Sequence, residues 1–187
     1  MIKLVSLFSG SSGNAILISG KETKILVDAG LSGAKIENAL RSIGENICEI
    51  QAILISHEHM DHIMGAGVLA RRYGIPIYAN RNTWDAMGNI INTRKIRPEC
   101  IRFFKTGDVF GIGDLEIHTF NTPHDAVEPV GFNFFCSGRK VTIATDMGHM
   151  NEKLLSNLEG SDMILIESNH DIEMLKTGRY PWPLKRR

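Results

Sequence analysis

The sequence predicts an α/β protein made of two packed β-sheets with helices against them. Short, almost wholly apolar runs, such as residues 52–55 and 163–166, are typical of strands covered on both faces. Between the early runs, apolar residues recur at spacings of three and four, which is typical of amphipathic helices. Beyond Pro98 the pattern changes to short strands at close spacing, so we expect a second sheet there.

The first half of the chain is predicted to begin with antiparallel strands and to continue with alternating helices and strands. Turns rich in glycine, serine and other polar residues separate the first three strands. The expected strands are residues 2–8, 15–19, 24–27, 52–55 and 75–79. The expected helices are residues 32–44, 63–73 and 82–91.

The second half is predicted to be mostly β-structure, with hairpin turns at residues 111–114 and 137–139. The expected strands are residues 101–104, 109–111, 115–120, 130–135, 140–145 and 163–166. One short helix is expected at residues 151–158, with leucines on one face. The last strand, 163–166, is apolar throughout and is predicted to be buried.

The composition is that of an ordinary globular protein of one domain. The 187 residues are 43% hydrophobic and 22% charged, enough to bury a core. The 21 basic residues balance 21 acidic ones, so the global charge gives no sign of a nucleic-acid partner, although it does not exclude a local basic groove. Three distant cysteines and the lack of a leader or a long apolar run predict a cytoplasmic protein without a membrane partner. The oligomeric state cannot be inferred.

The loop after the apolar run 52–55 contains an unusual concentration of metal-binding side chains. Imidazole and carboxylate groups together are ligands for zinc, manganese or iron. Within six positions the loop carries His57, Glu58, His59, Asp61 and His62. A solvated loop has no need of such a set, so we interpret it as half of a metal site.

The remaining ligands are expected where other strands end, because such positions converge on one edge of a sheet protein. Three later strands end in suitable residues. The candidates are His124 and Asp125, then Asp146, then Glu167 and His170.

The order of these residues resembles the signature of the metallo-β-lactamase superfamily, which is HxHxDH followed by a distant histidine and a distant aspartate. The resemblance implies an αββα four-layer sandwich and two divalent metal ions, either Zn or Mn, with Fe as a further option. By it, one metal would be held by His57, His59 and His124. Asp61 and His62 would hold the second metal, and Asp146 would bridge the two.

The chemistry of such a centre agrees with that assignment. Two metals about 3.5–4 Å apart share a hydroxide and lower the pKa of water towards about 7. Asp61 would orient the shared water and accept its proton, acting catalytically as well as a ligand. Asp28 matches a family aspartate that braces the metal loop without binding metal.

Five further motifs are similar to those of the YycJ/WalJ-type branch of the superfamily. They are SGSSGN at 9–14, NTPHD at 121–125, ATDMG at 144–148, ESNHD at 167–171 and YPWPLKR at 180–186. That branch is associated with 5′–3′ exonuclease action on DNA and with mismatch repair in bacteria. The resemblance implies metal-dependent phosphodiester hydrolysis, with DNA as the substrate partner.

The sequence departs from this branch at its C-terminal end. Members continue into a segment carrying Gly-His-Leu-Ser-Asn, whose histidine is the last ligand of the second metal. Here the sequence given stops at Arg187, and no histidine follows His170. We therefore expect residues 1–187 to form a single domain that is incomplete at its C-terminus, with a weak second metal site unless His170 or solvent fills the gap.

Several alternatives stay open at this point. The same metal centre would serve a small-molecule phosphodiesterase, thioesterase or lactonase, and a shortened chain could also be an inactive metal-binding domain. His170 is either a proton donor to the leaving oxygen, and so catalytic, or a capping and hydrogen-bonding residue. The loop 9–14 is either a simple hairpin turn or a set of backbone N–H groups near a phosphate.

Overall fold

The structure is a computed structural model that describes residues 2–167 and 172–178. Its strands are β1 Lys3–Phe8, β2 Ala15–Ser19, β3 Lys24–Val27, β4 Ala52–Leu54, β5 Ile77–Asn80, β6 Ile101–Phe104, β7 Val109–Ile112, β8 Leu115–Asn121, β9 Val130–Cys136, β10 Arg139–Ala144 and β11 Met163–Ile166. Its α-helices are α1 Gly33–Ser42, α2 Met60–Ile63, α3 Ala66–Tyr73, α4 Arg81–Met87, α5 Glu152–Leu158 and α6 Ile172–Thr177. Three short 3-10 helices, which the sequence pattern did not predict, lie at Ile47–Glu49, Thr93–Lys95 and Pro98–Cys100.

The strands form two mixed sheets, as expected. The first has the order β1-β2-β3-β4-β5-β6, antiparallel through β3 and parallel from β3 to β6. The second has the order β11-β10-β9-β8-β7 and is antiparallel except for the parallel pair β10 and β11. In the parallel half of the first sheet all carboxyl ends point to one edge, where the metal-binding loop is found.

Two large cores and one small apolar cluster hold four layers together. One packs the outer face of the first sheet against α1, α3 and α4, with Ile36, Leu69 and Trp84 among its members. The other fills the space between the sheets and includes Phe132 and Phe134. Because side chains alternate along a strand, the opposite face of the second sheet turns outwards and receives α5 through Leu154. The predicted αββα sandwich of the metallo-β-lactamase fold is therefore confirmed.

The strand pattern was wrong about the burial of β11. Its residues Met163, Ile164 and Ile166 are 46%, 43% and 39% exposed. Within the described ranges β11 pairs only with β10 and forms an edge of the second sheet. Apolar composition predicted a strand correctly, but it did not reveal that this strand lies at an edge.

Two helix predictions were also corrected. The helix expected at residues 63–73 begins at Met60 and breaks before Ala66, because the backbone N–H of Gly65 donates to Ala29 O at 2.7 Å instead of continuing the helix. The helix expected at 82–91 ends at Met87, and the chain then folds back so that Thr93 N donates to Gly88 O at 3.0 Å.

Candidate metal centre

The metal-binding loop, residues 56–62, follows β4 at the carboxyl edge of the first sheet and runs directly into α2. His59 is the N-cap residue of α2, but its side chain makes no capping hydrogen bond and so stays free to face the other histidines. His57 is 2% exposed and His62 is fully buried. Burial of several imidazoles in a loop is costly unless a specific set of partners compensates for it.

Three histidines converge on one point. His57 Nε2 lies 3.1 Å from His59 Nδ1, and His124 Nε2 lies 3.2 Å from the same atom. One ring nitrogen of each residue lies within 4.8 Å of those of the other two. The edge of a tetrahedron of zinc ligands at about 2.0–2.1 Å from the metal measures about 3.3–3.4 Å, so these spacings fit a tetrahedral cation.

A second group shares His57 with the first and adds His62 and Asp146. Asp146 Oδ2 lies 2.6 Å from His62 Nε2 and 3.9 Å from His57 Nε2. Asp61 is at the rim, with its side chain 35% exposed and Oδ2 3.6 Å from His62 Nε2. The six side chains proposed as ligands from the sequence therefore lie around one centre.

Asp146 has a geometry that suits a bridging ligand. It follows β10 with a φ of +52°, a conformation that aspartate tolerates better than most residues, and its N–H donates to Glu167 Oε2 at 3.1 Å. Its Oδ2 is shielded from solvent, touches the His62 ring, and has no hydrogen bond of normal geometry to any described residue. A shielded carboxylate oxygen 2.6 Å from one imidazole nitrogen and 3.9 Å from another lies where a cation held by all three groups would contact it.

The charge states also suit metal ligands. Burial, followed by the positive field of His62, lowers the pKa of His57 to about 2, and burial also lowers the pKa of His124. Burial opposes ionisation of Asp146, but contact with His62 outweighs it and lowers the pKa of Asp146 to about 2. Near neutral pH His57 and His124 thus present free imidazole lone pairs and Asp146 presents an ionised carboxylate, the forms that bind metal, whereas His62 must lose a proton before its Nε2 can bind one. The mixed nitrogen and oxygen set fits Zn, Mn or Fe.

Asp28 holds the loop from behind, as the family resemblance implied. It is fully buried, and its Oδ1 accepts from Ser56 N at 2.8 Å. Its Oδ2 accepts from Ser56 Oγ and lies 2.8 Å from His62 Nδ1. Burial opposes protonation of His62, but Asp28 and Asp146 more than compensate and raise the pKa of His62 to about 10.

The backbone of the loop is pressed against the turn that follows β3. Asn14 N donates to Asp61 O, and Ala29 N donates to His62 O, both at 2.7 Å. A Cβ atom at Gly30 would lie 1.6 Å from Asp61 O, and one at Gly65 would lie 2.2 Å from Leu31 O. These two glycines are required because peptide packs directly on peptide there.

The loop between β8 and β9, which carries His124, is fixed by two glutamates. Glu58 Oε1 accepts from Val127 N at 2.9 Å, while Glu58 Oε2 is buried without a partner among the described residues. On the other side, the Glu128 carboxylate accepts from Thr106 Oγ1 at 2.5 Å and from Asn82 Nδ2 at 2.8 Å.

Sequence reasoning gave no role to the side chains of Asn14 and Ser56, and it counted Glu58 only as a fifth possible metal donor, whereas Glu58 holds the loop that carries His124. Asn14 is 3% exposed, with Nδ2 3.0 Å from His62 Nε2 and Oδ1 accepting from Gly10 N at 3.1 Å. The only signal was position, since each of them stands in or beside a motif already singled out. The predicted catalytic residue His170 lies outside the described residues, so its placement remains a prediction.

A cavity of about 250 Å³ opens beside the metal centre. Its walls come from the loop after β1 and from the ends of β10 and β11, and its polar lining residues are Ser9, Asn14, Thr145 and Glu167. Asn14 and Glu167 link it to the centre through His62 and Asp146 respectively. Within the described part of the chain, no helix is long and apolar enough to cross a membrane.

Comparison with known proteins gives consistent results. A sequence profile described as "Metallo-beta-lactamase superfamily" matches residues 9–182. "Exodeoxyribonuclease YycJ" of Bacillus anthracis is 44% identical over 97% of this chain and 68% of its own length. "Exodeoxyribonuclease WalJ" of Streptococcus pneumoniae is 43% identical over 97% of this chain and 67% of its own. This chain therefore spans about two thirds of the length of both relatives.

Among solved structures, Zn(2+)-bound PqqB from Methylobacterium extorquens superposes with a TM-score of 0.78 at 18% identity. The match covers 97% of this chain and 78% of PqqB. At this identity the likeness supports the fold alone.

Proposed function

Because this chain belongs to the metallo-β-lactamase superfamily of hydrolases, we propose that it is a metal-dependent phosphodiesterase that degrades DNA from a 5′ end. The observation that supports this most directly is the convergence of His57, His59 and His124 next to His62 and Asp146. The choice of DNA rests on the two relatives named exodeoxyribonuclease. We further propose a cytoplasmic role in DNA repair, and that residues 1–187 all belong to one metallo-β-lactamase-like domain.

We assign the ligands as the sequence suggested. His57, His59 and His124 would hold one metal, Asp61 and His62 the other, and Asp146 both. Two divalent metals bound here, Zn or Mn with Fe as an option, would supply Lewis acidity and a hydroxide nucleophile at neutral pH. The second site is proposed to be the weaker, because Asp61 is the most exposed of the group formed by Asp61, His62 and Asp146.

The protein's own groups have separate tasks in this proposal. Asp61, at the rim, orients the attacking water and accepts its proton. Asp28 and Ser56 fix the ring of His62 and the tautomer of His57, since Ser56 Oγ lies 2.9 Å from His57 Nδ1. His170 stays our candidate for the proton donor to the leaving oxygen.

The test is hydrolysis of DNA labelled at either end, with protein loaded separately with Mn²⁺, Zn²⁺ or Mg²⁺. We expect release of labelled mononucleotide from the 5′-labelled strand at the earliest times, and progressive shortening of the 3′-labelled strand. Asp61→Asn and Asp146→Asn should abolish hydrolysis while urea unfolding shows a folded protein. Absence of cleavage with every metal would refute the nuclease.

The alternative substrates are separated by a second assay. A panel of chromogenic phosphodiesters, thioesters and lactones is incubated with the same loaded protein. Turnover of a thioester or lactone without turnover of DNA would replace the nuclease by a small-molecule hydrolase. Metal analysis that finds no bound metal would leave only an inactive domain.

A further inference from the structure

Five exposed cations form a patch at the C-terminal end of α3 and in the segment that follows α4. We call this the basic patch; its members are Arg71, Arg72, Arg94, Lys95 and Arg97. Two contacts join the segments. Arg71 Nη1 donates to Ile91 O at 2.8 Å. Arg97 Nη2 lies against Gly74, where an added Cβ atom would be only 2.3 Å from that nitrogen. The five charges therefore belong to one surface.

The basic patch is only partly neutralised. Arg72 lies 3.6 Å from Glu37, and Arg97 lies 3.5 Å from Glu99. Within residues 2–167 and 172–178, Arg71, Arg94 and Lys95 make no ion pair with an acidic side chain. Because the chain as a whole carries 21 basic and 21 acidic residues, this surface is a local excess of positive charge on a neutral protein.

Helix α3 runs from the edge of the first sheet that carries the metal-binding loop to the opposite edge, where β5 begins and the basic patch lies. It starts beside the metal-binding loop, where Gly65 N donates to Ala29 O, and it ends at Tyr73 within the basic patch. Its 8 residues span about 12 Å at 1.5 Å per residue. A DNA strand rises about 3.4 Å per nucleotide, so the helix spans three to four nucleotides. The surface between carries the exposed apolar side chains Met64 and Val68 and no acidic residue of α3.

We propose that the basic patch is a binding site for the phosphate backbone of DNA, several nucleotides away from the bond that is cleaved. This rests on the proposed function, since it takes DNA as the substrate of the metal centre. Lysine and arginine neutralise phosphates and release condensed counterions, which gives affinity without sequence preference. That is the property an exonuclease needs to hold strands of any sequence. The site predicts a length dependence, because a dinucleotide in the metal centre cannot reach it.

The test compares two double variants that each remove two positive charges. Arg94→Gln with Lys95→Gln changes the basic patch, while Lys21→Gln with Lys153→Gln changes two exposed lysines elsewhere that have no acidic partner among the described side chains. Binding of a long labelled DNA to metal-stripped protein is measured by anisotropy as a function of salt. Each lost phosphate contact should reduce the slope of log K against log salt by about 0.7–0.9, so the patch variant should lose about 1.4–1.8. The control should keep the wild-type slope.

Equal salt slopes for the two double variants would overturn the proposal. So would a competition experiment in which polyglutamate displaces the labelled DNA as well as unlabelled DNA of equal charge does, because that result would indicate an acidic protein as the partner. With metal-loaded protein, the patch variant should have a raised KM for long DNA and unchanged hydrolysis of a dinucleotide. Should the wild type cleave no DNA yet show the slope difference, the nuclease proposal falls while the binding site stands. The two failures are therefore distinguishable.

Discussion

Replacing Asp28 with asparagine tests how the metal-binding loop is held. Asparagine keeps the size of the side chain and tolerates the φ of +61° at this position, so the backbone need not change. The carboxylate accepts from Ser56 N on one oxygen and faces Ser56 Oγ and His62 Nδ1 on the other. An amide cannot accept on both sides, so one of these contacts must be lost.

Either orientation of the amide carries a cost. If the NH₂ group of the new amide points towards His62, the His62 ring must accept at Nδ1 and carry its proton on Nε2. This Nε2 is the atom nearest Asp146, and once protonated it cannot bind metal. With its NH₂ group towards Ser56 N, a buried donor is left unsatisfied at a cost of about 1–3 kcal/mol. A group that hydrogen-bonds to the other ring nitrogen of a metal-bound histidine typically raises the affinity for the metal 10–100-fold, or by about 1.4–2.8 kcal/mol.

We therefore expect Asp28→Asn to bind Zn²⁺ about 10–100-fold more weakly, measured by competition with a chromophoric chelator. Urea unfolding of the metal-stripped variant should show a loss of about 1–3 kcal/mol. Asp108→Asn is the matched control, because Asp108 accepts from Lys105 N in an exposed turn. A zinc affinity within twofold of wild type for Asp28→Asn would refute the bracing role.

Three further predictions concern other parts of the molecule. Gly65→Ala places a Cβ 2.2 Å from a backbone oxygen and should lose about 1–3 kcal/mol in urea unfolding, whereas Gly111→Ala, with nothing nearer than 3.9 Å, should not. Glu58→Ala frees the loop between β8 and β9 and should weaken zinc binding about tenfold. Glu58→Gln still offers an oxygen to Val127 N, so it should bind zinc nearly as well as the wild type. Equal losses of zinc affinity in both variants would contradict this role of Glu58. The hydroxyl of Thr23 and a backbone N–H of the β2–β3 turn hold the pKa of Asp114 below its usual range. Stability from this carboxylate is full above pH of about 4 and is lost as the pH falls, so Asp114→Asn should reduce the acid dependence of urea unfolding.

The sequence was informative where chemistry and periodicity coincide in a short stretch. The metal-binding loop combines a buried strand with five donors in six positions, so its place and purpose could be predicted together. The convergence of His124 and Asp146 on it followed from strand ends and from the family signature. Strand β4 was predicted to be covered on both faces, and all three of its residues are buried.

Other features depend on contacts between distant residues, which a local pattern does not contain. The break between α2 and α3 exists because Gly65 meets the backbone after β3, far away in sequence. The edge position of β11 depends on which strands pair, and its apolar residues look the same in either case. The role of Glu58 appears only when Val127 is brought to it by the fold.

The direct packing of peptide on peptide around Gly30 and Gly65 has a consequence for metal exchange. Zinc fingers fold only when the metal binds, so much of their binding energy goes into ordering the chain. Here the metal-binding loop is fixed by hydrogen bonds that involve no metal-binding atom, from Asn14 N to Asp61 O, from Ala29 N to His62 O and from Ser56 N to Asp28 Oδ1. Little ordering entropy remains to be lost on binding. We expect the protein to survive complete chelation as a folded molecule and to be reloaded with one divalent metal after another, so that the preferred metal can be decided by titration of a single preparation.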